Sequence, residues 1–420
     1  MDAANSETRA WINGKFVSMD PSVDGEYGLL EGRALLTEGG LIKGLFPEET
    51  LNPALKVTDL KGALVTPGFI DCHTHLVFAG NRAHEWEMRL NGASYEGLAA
   101  AGGGIRFTVN ASRAASFEEL RSAAMKRLEV MAAEGVCTVE IKSGYGLDLE
   151  TERKLLLVVK SLREGCNMDL AATLLAAHSV PAEFSSQAAA YMDEVCGRIM
   201  PELWKEGLFE AADVFCENIA FDVSMTEKLF RRAAELGIPV KGHNEQMSNT
   251  GGTELLARYH GLSSDHLEYL DERGVKALSG AGTVAVLLPA AFYFLKCTHK
   301  PPVELLRKHG VPIAVATDYN PGTSPFISLR LAMNMACTLF GLKPAEALAG
   351  VTRNAARALG RQDCCGMLKS GFRADFDVWD AEGPAELIYE PGARLLLRRV
   401  CRGREEFYTP IQRMSGNNGG

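Results

Sequence analysis

Val65-Thr66-Pro67-Gly68-Phe69-Ile70-Asp71-Cys72-His73-Thr74-His75 is the stretch whose reading decides the fold. An apolar run directly behind a Pro-Gly turn reads as a buried strand. His73 and His75 lie two positions apart, so on a strand both imidazoles point to one face. Two ring nitrogens on one face can serve one metal ion. A third His and a carboxylate from elsewhere would complete a zinc-type site that keeps a position for water. Taken alone, an H-x-H pair is as readily a satisfied core pair. Its place at the end of a strand behind Pro67-Gly68 favours the ligand reading.

Outward from this stretch, short apolar runs alternate with longer helical patterns, the signature of a parallel α/β architecture. Eight strands are expected near 69–75, 136–141, 170–178, 214–216, 239–243, 264–266, 283–288 and 313–318. Ser116 with Glu119, and Ser224 with Glu227, match the S/T-x-x-E capping box. Leu120, Ala124, Leu128 and Met131 share one face of the helix after Ser116, with Gly135 as its terminator. Eight β/α units over about 300 residues fit an α/β TIM (β/α)8 barrel better than an open sheet.

The two ends of the chain read differently. Asn13-Gly14, between Trp11-Ile12 and Lys15-Phe16-Val17, predicts a hairpin, and Gly39-Gly40 predicts another. The stretch 371–380 alternates apolar and polar residues, and 395–408 adds more strand-like sequence. Residues 1–65 and 370–420 are expected to form one small β-sandwich-like domain built from both termini, around a barrel spanning 66–369. The final Gly416-Asn417-Asn418-Gly419-Gly420 reads as a disordered tail.

Active sites of such barrels sit at the C-terminal ends of the strands. There the expected strands collect His73 and His75, Lys142-Ser143-Gly144-Tyr145-Gly146, His178, Cys216-Glu217, His243-Asn244-Glu245-Gln246, His266, and Asp318-Tyr319-Asn320-Pro321-Gly322. Five of the nine histidines fall at strand ends, far more than chance placement would put there. Barrel geometry then selects His73, His75, His243 and Asp318 as ligands of one divalent metal, which would bring bound water toward a pKa of about 7. Zinc and iron both suit three imidazoles and a carboxylate, as does manganese. His178 and His266 are left to handle substrate. Cys216 and Glu217 occupy the place of a metal-bridging lysine, so one metal is favoured, with Glu217 the route to a second. His84, His260, His299 and His309 read as structural.

The chain has 420 residues, is 46% hydrophobic, and carries a net charge of −9. That charge offers no basic patch for a nucleic acid. Met1 to Ala10 lacks the apolar core of a signal peptide, and no apolar run is long enough to span a bilayer. Ten scattered cysteines without CxxC spacing suit free thiols in a reducing cytoplasm.

The whole pattern resembles the amidohydrolase superfamily. The resemblance rests on residues 67–75, the strand-end histidines, Thr317-Asp318, Asn354-Ala355-Ala356-Arg357-Ala358-Leu359-Gly360 and Gly371-Phe372-Arg373-Ala374-Asp375. Within the superfamily it is similar to the imidazolonepropionase family, through Phe78-Ala79-Gly80-Asn81-Arg82, Ala101-Gly102-Gly103-Gly104-Ile105, residues 142–148, Ala177-His178-Ser179-Val180-Pro181, residues 213–217 and 318–322.

The resemblance implies hydrolysis of 4-imidazolone-5-propanoate to N-formimidoyl-glutamate, a step of histidine degradation, by a cytoplasmic homodimer. It places Arg82, Tyr145, His178, Asn320, Gly322 and Thr323 against the substrate. A propionate tail wants a guanidinium; the competing roles are a loop salt bridge for Arg82 and loop packing for Tyr145. Some relatives carry Glu where this chain has Gln246. A glutamine cannot be a general base but can hydrogen-bond the ring. Glu245 beside it reads either as support for acid–base chemistry or as a second-layer carboxylate. Proton transfer then falls to Asp318, and polarisation of the ring carbonyl to His266. The rival readings are an aromatic-base deaminase of the same superfamily, which would not need Arg82, and a non-catalytic scaffold, which would have lost its metal ligands.

Overall fold

The computed structural model describes residues 8–92 and 103–408. The expected C-terminal tail, most of the N-terminal run and Ala101-Gly102 lie outside the described residues. Eight parallel strands run in sequence order around one sheet: Phe69–Asp71, Val136–Lys142, Asp169–Ala177, Ala211–Cys216, Gly242–Asn244, Ser263–His266, Val284–Leu287 and Ile313–Val315. Every residue of the second and third strands is buried, as expected for parallel strands covered on both faces. The sheet is closed by backbone bonds just past the first and eighth strands. His75 N–H donates to Tyr319 O at 3.0 Å, and Asp318 N–H to His73 O at 3.0 Å.

Helices cover the outside. Phe117–Ala132 starts at the expected capping box and buries Leu120, Ala124, Leu128 and Met131. The helix Val223–Leu236 corrects one expectation. Its cap is Asp222, which accepts from Met225 N, and Ser224 lies inside the first turn. Asp222 sits one residue before the helix and has the shorter reach to the free amides.

Two further sheets flank the barrel. A six-stranded sheet holds Arg404–Phe407, Leu396–Cys401, Phe376–Trp379, Leu64–Pro67, Lys15–Val17 and Leu29–Leu30, in that order. A four-stranded sheet holds Leu41–Pro47, Arg33–Glu38, Arg9–Ile12 and Lys56–Asp59. Gly39-Gly40 forms the expected hairpin, with Glu38 opposite Leu41. Asn13-Gly14 does not. Arg9–Ile12 pairs with Arg33–Glu38 and Lys56–Asp59, whereas Lys15–Val17 pairs with Leu29–Leu30 and Leu64–Pro67. The turn, with Asn13 at φ 54°, passes the chain from one sheet to the other. The apolar residues on either side pack into a common core, where Trp11 meets Phe376 edge-on at 5.0 Å. Trp379 stacks on Phe69 at 5.2 Å, tying the six-stranded sheet to the first barrel strand.

Candidate metal centre

The first barrel strand ends at Asp71, yet the period of two persists through the closing bridge at Thr74. His73 and His75 flank that bridge and point into the barrel mouth. The eighth strand likewise ends at Val315, with Thr317 and Asp318 in the closing segment. Asp71 holds the two segments together by accepting from Thr317 Oγ1 at 2.6 Å. Its burial pushes its carboxyl up to about 6 against those hydrogen bonds.

The donors form two overlapping groups, His73, His75 and Asp318 in one and His73, His243 and His266 in the other. His73 Nε2 and His75 Nε2 each lie 3.4 Å from Asp318 Oδ1, and His243 Nε2 lies 3.4 Å from His75 Nε2. Ligand atoms around one tetrahedral ion with bonds of about 2.1 Å stand about 3.4 Å apart, so these edges fit. His73 Nε2 is buried with no hydrogen-bond partner. Its Nδ1 is held by Asp265 Oδ2 at 2.6 Å, and His243 Nδ1 by Asp213 Oδ1 at 3.2 Å. A ring that donates through Nδ1 presents the lone pair of Nε2, the form a metal takes. Burial drives His75 down to about 4, which keeps it neutral. For Asp318, burial pulls upward, but His73 and His75 outweigh it and hold the carboxyl well below its usual range. The residues present therefore fit a divalent cation.

His266 also belongs to this cluster; one nitrogen of its ring lies within 4.8 Å of donors on His73 and His243. Its backbone sits at φ 81°, and Leu267 follows at 74°. Left-handed geometry in two successive non-glycine residues costs energy, and here it turns the imidazole into the mouth. Burial holds His266 well below the ordinary histidine range, as it does His178, where His75 and His243 add to the effect. His178 stacks on His75 at 5.1 Å and Tyr145 sits 5.5 Å from His178. Tyr145 is buried, which raises its phenol, so it stays neutral.

The loop carrying Tyr145 is shaped by a carboxylate that the sequence did not single out. The buried Glu152 carboxylate accepts from the amides of Gly144, Gly146 and Leu147 at 3.0, 2.8 and 2.8 Å. Gly144, at φ 106°, leaves no room for a side chain, since a Cβ would stand 2.7 Å from Leu175 O.

Arg82 lies against Gly322. Arg82 grips Glu85 through Nε at 2.9 Å and Nη2 at 2.5 Å, while its Nη1 lies over Gly322. The salt bridge weighed against substrate binding is thus present. Three polar side chains near the mouth spend their hydrogen bonds on neighbouring loop residues. Asn320 does not offer its amide outward: Oδ1 accepts from the amides of Gly322 and Thr323 at 2.8 and 2.7 Å, and Nδ2 donates to Asp318 O and to Thr323 Oγ1. Asn320 and Thr323 close their own loop, a common use of an Asx side chain. Glu245 turns away from the mouth and accepts from Thr250 and from Thr253. Glu217 spends its oxygens on Met247 N and Ser248 Oγ, so it stands outside both donor groups found among the described residues. Gln246 is half-buried, with no hydrogen-bond partner among the described residues.

The structural histidines stand apart. His84 is exposed beside Glu87, and His299 stacks on Tyr269 at 4.4 Å. All ten cysteines are free thiols, and among the described residues no helix is long and apolar enough to cross a membrane.

Comparison with known proteins gives consistent neighbours. The description "Amidohydrolase family" matches residues 64–414. An imidazolonepropionase of Klebsiella pneumoniae is 57% identical over 403 residues, covering 96% of this chain and 99% of its own length. One from Photorhabdus laumondii is 56% identical, covering 94% and 95%. Among solved structures, a 5-methylcytosine deaminase from Klebsiella pneumoniae aligns with a TM-score of 0.74 at 18% identity, over 96% of this chain and 98% of that one. A triazine hydrolase variant aligns with a TM-score of 0.70 at 15% identity, over 97% and 96%. These two establish a shared fold.

Proposed function

This chain belongs to the amidohydrolase family, and from that premise we infer that it is an imidazolonepropionase, hydrolysing 4-imidazolone-5-propanoate to N-formimidoyl-glutamate in histidine degradation. The observation that supports the reading at the site is the pair of overlapping donor groups, His73, His75 and Asp318 with His73, His243 and His266, which share His73, whose Nε2 is buried and unpartnered. His73, His75, His243 and Asp318 would hold zinc or iron. A divalent cation there supplies Lewis acidity that brings water toward a pKa of about 7.

The chain's own groups divide the remaining work. Asp318 keeps a carboxylate oxygen to receive the water's proton. The neutral His266 imidazole, aimed into the mouth, donates toward the ring carbonyl as negative charge develops on its oxygen. The ring nitrogen takes a proton as its bond to that carbon breaks, and the ring opens. Tyr145, His178 and Gln246 flank the ring with neutral polar groups. Arg82 over Gly322 meets the propionate by charge-assisted hydrogen bonds. Such acid–base assistance contributes about 10²–10⁴-fold. The deaminase alternative gives no role to the Arg82 guanidinium. Free thiols support a cytoplasmic setting, and a homodimer is the assembly expected, to be read by light scattering.

The test is to strip the purified protein of metal, reload zinc or iron separately, and follow the ultraviolet absorbance of freshly made imidazolone propionate. Loss of activity on stripping and its return on reloading support the reading. An enzyme that stays active without metal, or that prefers an aromatic base, sinks it.

A further inference from the structure

Below the donor atoms the barrel is filled by charge. Lys142 and Lys241 face inward with Glu140, Asp213 and Asp265, and all five side chains are at most 1% exposed. Lys142 Nζ lies 2.7 Å from Asp213 Oδ2, 2.9 Å from Glu140 Oε2 and 3.6 Å from Asp265 Oδ2. The Glu140 contact is an ion pair rather than an aligned hydrogen bond. Asp213 and Asp265 are the same carboxylates that grip Nδ1 of His243 and His73. Lys241 is placed otherwise. It reaches Glu140 Oε1 at 2.7 Å and Cys72 O at 3.2 Å, and it touches neither histidine-bound carboxylate.

A lysine that only neutralised one buried carboxylate would need one partner. Lys142 sits between two carboxylates that already have imidazoles to orient. Five charged groups make two positive and three negative charges, and Asp318 adds a fourth negative. The cluster plus Asp318 is thus two charges short of neutral, the deficit a dication fills.

We propose that Lys142 is a positioning residue for the metal centre: its ammonium, held between Asp213 and Asp265, keeps both carboxylates aimed at His243 and His73 and thereby sets the affinity for the cation. The proposal rests on the metal-centre reading above. Without the ammonium, two buried carboxylates face each other with no cation between them. Repulsion then turns them off the imidazoles, and the rings lose the orientation that presents Nε2. Outer-layer partners of metal-bound histidines typically contribute 10–100-fold in affinity.

The experiment measures zinc affinity by competition with a chromophoric chelator, on wild type, Lys142→Met, Lys142→Gln and Lys241→Met, with circular dichroism of each metal-free protein as the fold control. The expected result is a loss of at least about 10-fold for both Lys142 variants and under about 3-fold for Lys241→Met. Equal affinity in Lys142→Met and wild type overturns the proposal, as does an equal loss in Lys241→Met, which would mark a generic effect of buried charge. If neither Lys142 variant folds without metal, Lys142 is structural and the positioning role fails. A wild type whose zinc affinity is unchanged by His73→Ala removes the metal-centre reading itself, and this proposal with it.

Discussion

Replacing Gly322 by alanine displaces the Arg82 guanidinium without removing its charge. A Cβ at Gly322 would stand 2.0 Å from Arg82 Nη1 and 3.0 Å from its Cζ. Ordinary contact begins at about 3.4 Å, so the guanidinium must withdraw by more than about 1 Å. The obstacle is the far end of a flexible side chain, and Gly322 does not use the left-handed region. The backbone therefore accepts alanine, and reduced freedom of the unfolded chain should make stability neutral to slightly higher, by up to about 1 kcal/mol. The bond to the propionate is what suffers. Charge-assisted hydrogen bonds contribute about 1.5–3 kcal/mol, which corresponds to about a 10- to 150-fold rise in KM. Because the carboxylate is remote from the bond that breaks, kcat should change little. Steady-state rates from ultraviolet absorbance, on the substrate and on an analogue lacking the carboxylate, read both constants. A KM within twofold of wild type would refute the assignment of Arg82. So would an equal penalty on the analogue, because that locates the damage elsewhere in the mouth.

His266→Ala should lower kcat by about 10²–10³-fold with little change in KM, since its partner is charge that develops in the transition state; a pure KM effect would reassign it. Glu268 is buried with Oε2 unpartnered, and burial pushes its carboxyl up to about 8 from 4.5. The folded state then keeps a proton that the unfolded chain releases, so stability is full below about pH 4.5 and is lost as pH rises from there to about 8, on the order of 5 kcal/mol in all. In the metal-free protein Glu268→Gln should flatten this slope between pH 5 and 8.5; parallel thermal midpoints for variant and wild type would count against it. Asp222→Ala should cost about 1 kcal/mol by denaturant unfolding and Ser224→Ala under about 0.5, and the reverse order would return the cap to Ser224.

The strand-end histidines were legible because barrel architecture makes position along a strand meaningful. Any polar residue at a C-terminal strand end faces the same space. The charged floor was not read, although it left a signal. Glu140 and Lys142 are two apart in a strand with no other charged residue, and same-face spacing on a strand buried on both sides puts both inside the barrel. The expected strand stopped at 141, which moved Lys142 into the substrate loop. The Asn13-Gly14 hairpin failed for a different reason. Turn chemistry specifies a reversal of direction, but which strands then pair is decided by the core that forms around Trp11 and Phe376. Glu245, Asn320 and Glu217 show a third limit. A carboxylate or amide near the mouth in sequence can spend its hydrogen bonds on its own loop, and only the rotamer tells.

The barrel closes through the very residues that would hold the metal. His73 and His75 on one side of the seam, and Asp318 and Tyr319 on the other, exchange backbone bonds where the first and last strands meet, Asp318 N–H donating to His73 O and His75 N–H to Tyr319 O. A ribosome must therefore deliver nearly the whole barrel before the centre can exist, and no partial chain can capture the ion through this set. A cation bound there acts as a rivet across the seam, tying together chain segments that are remote in sequence. Its loss makes the seam the natural first place for the barrel to breathe. Amide hydrogen exchange at His75 and Asp318 should accelerate on metal removal, while the amides of the third strand stay protected.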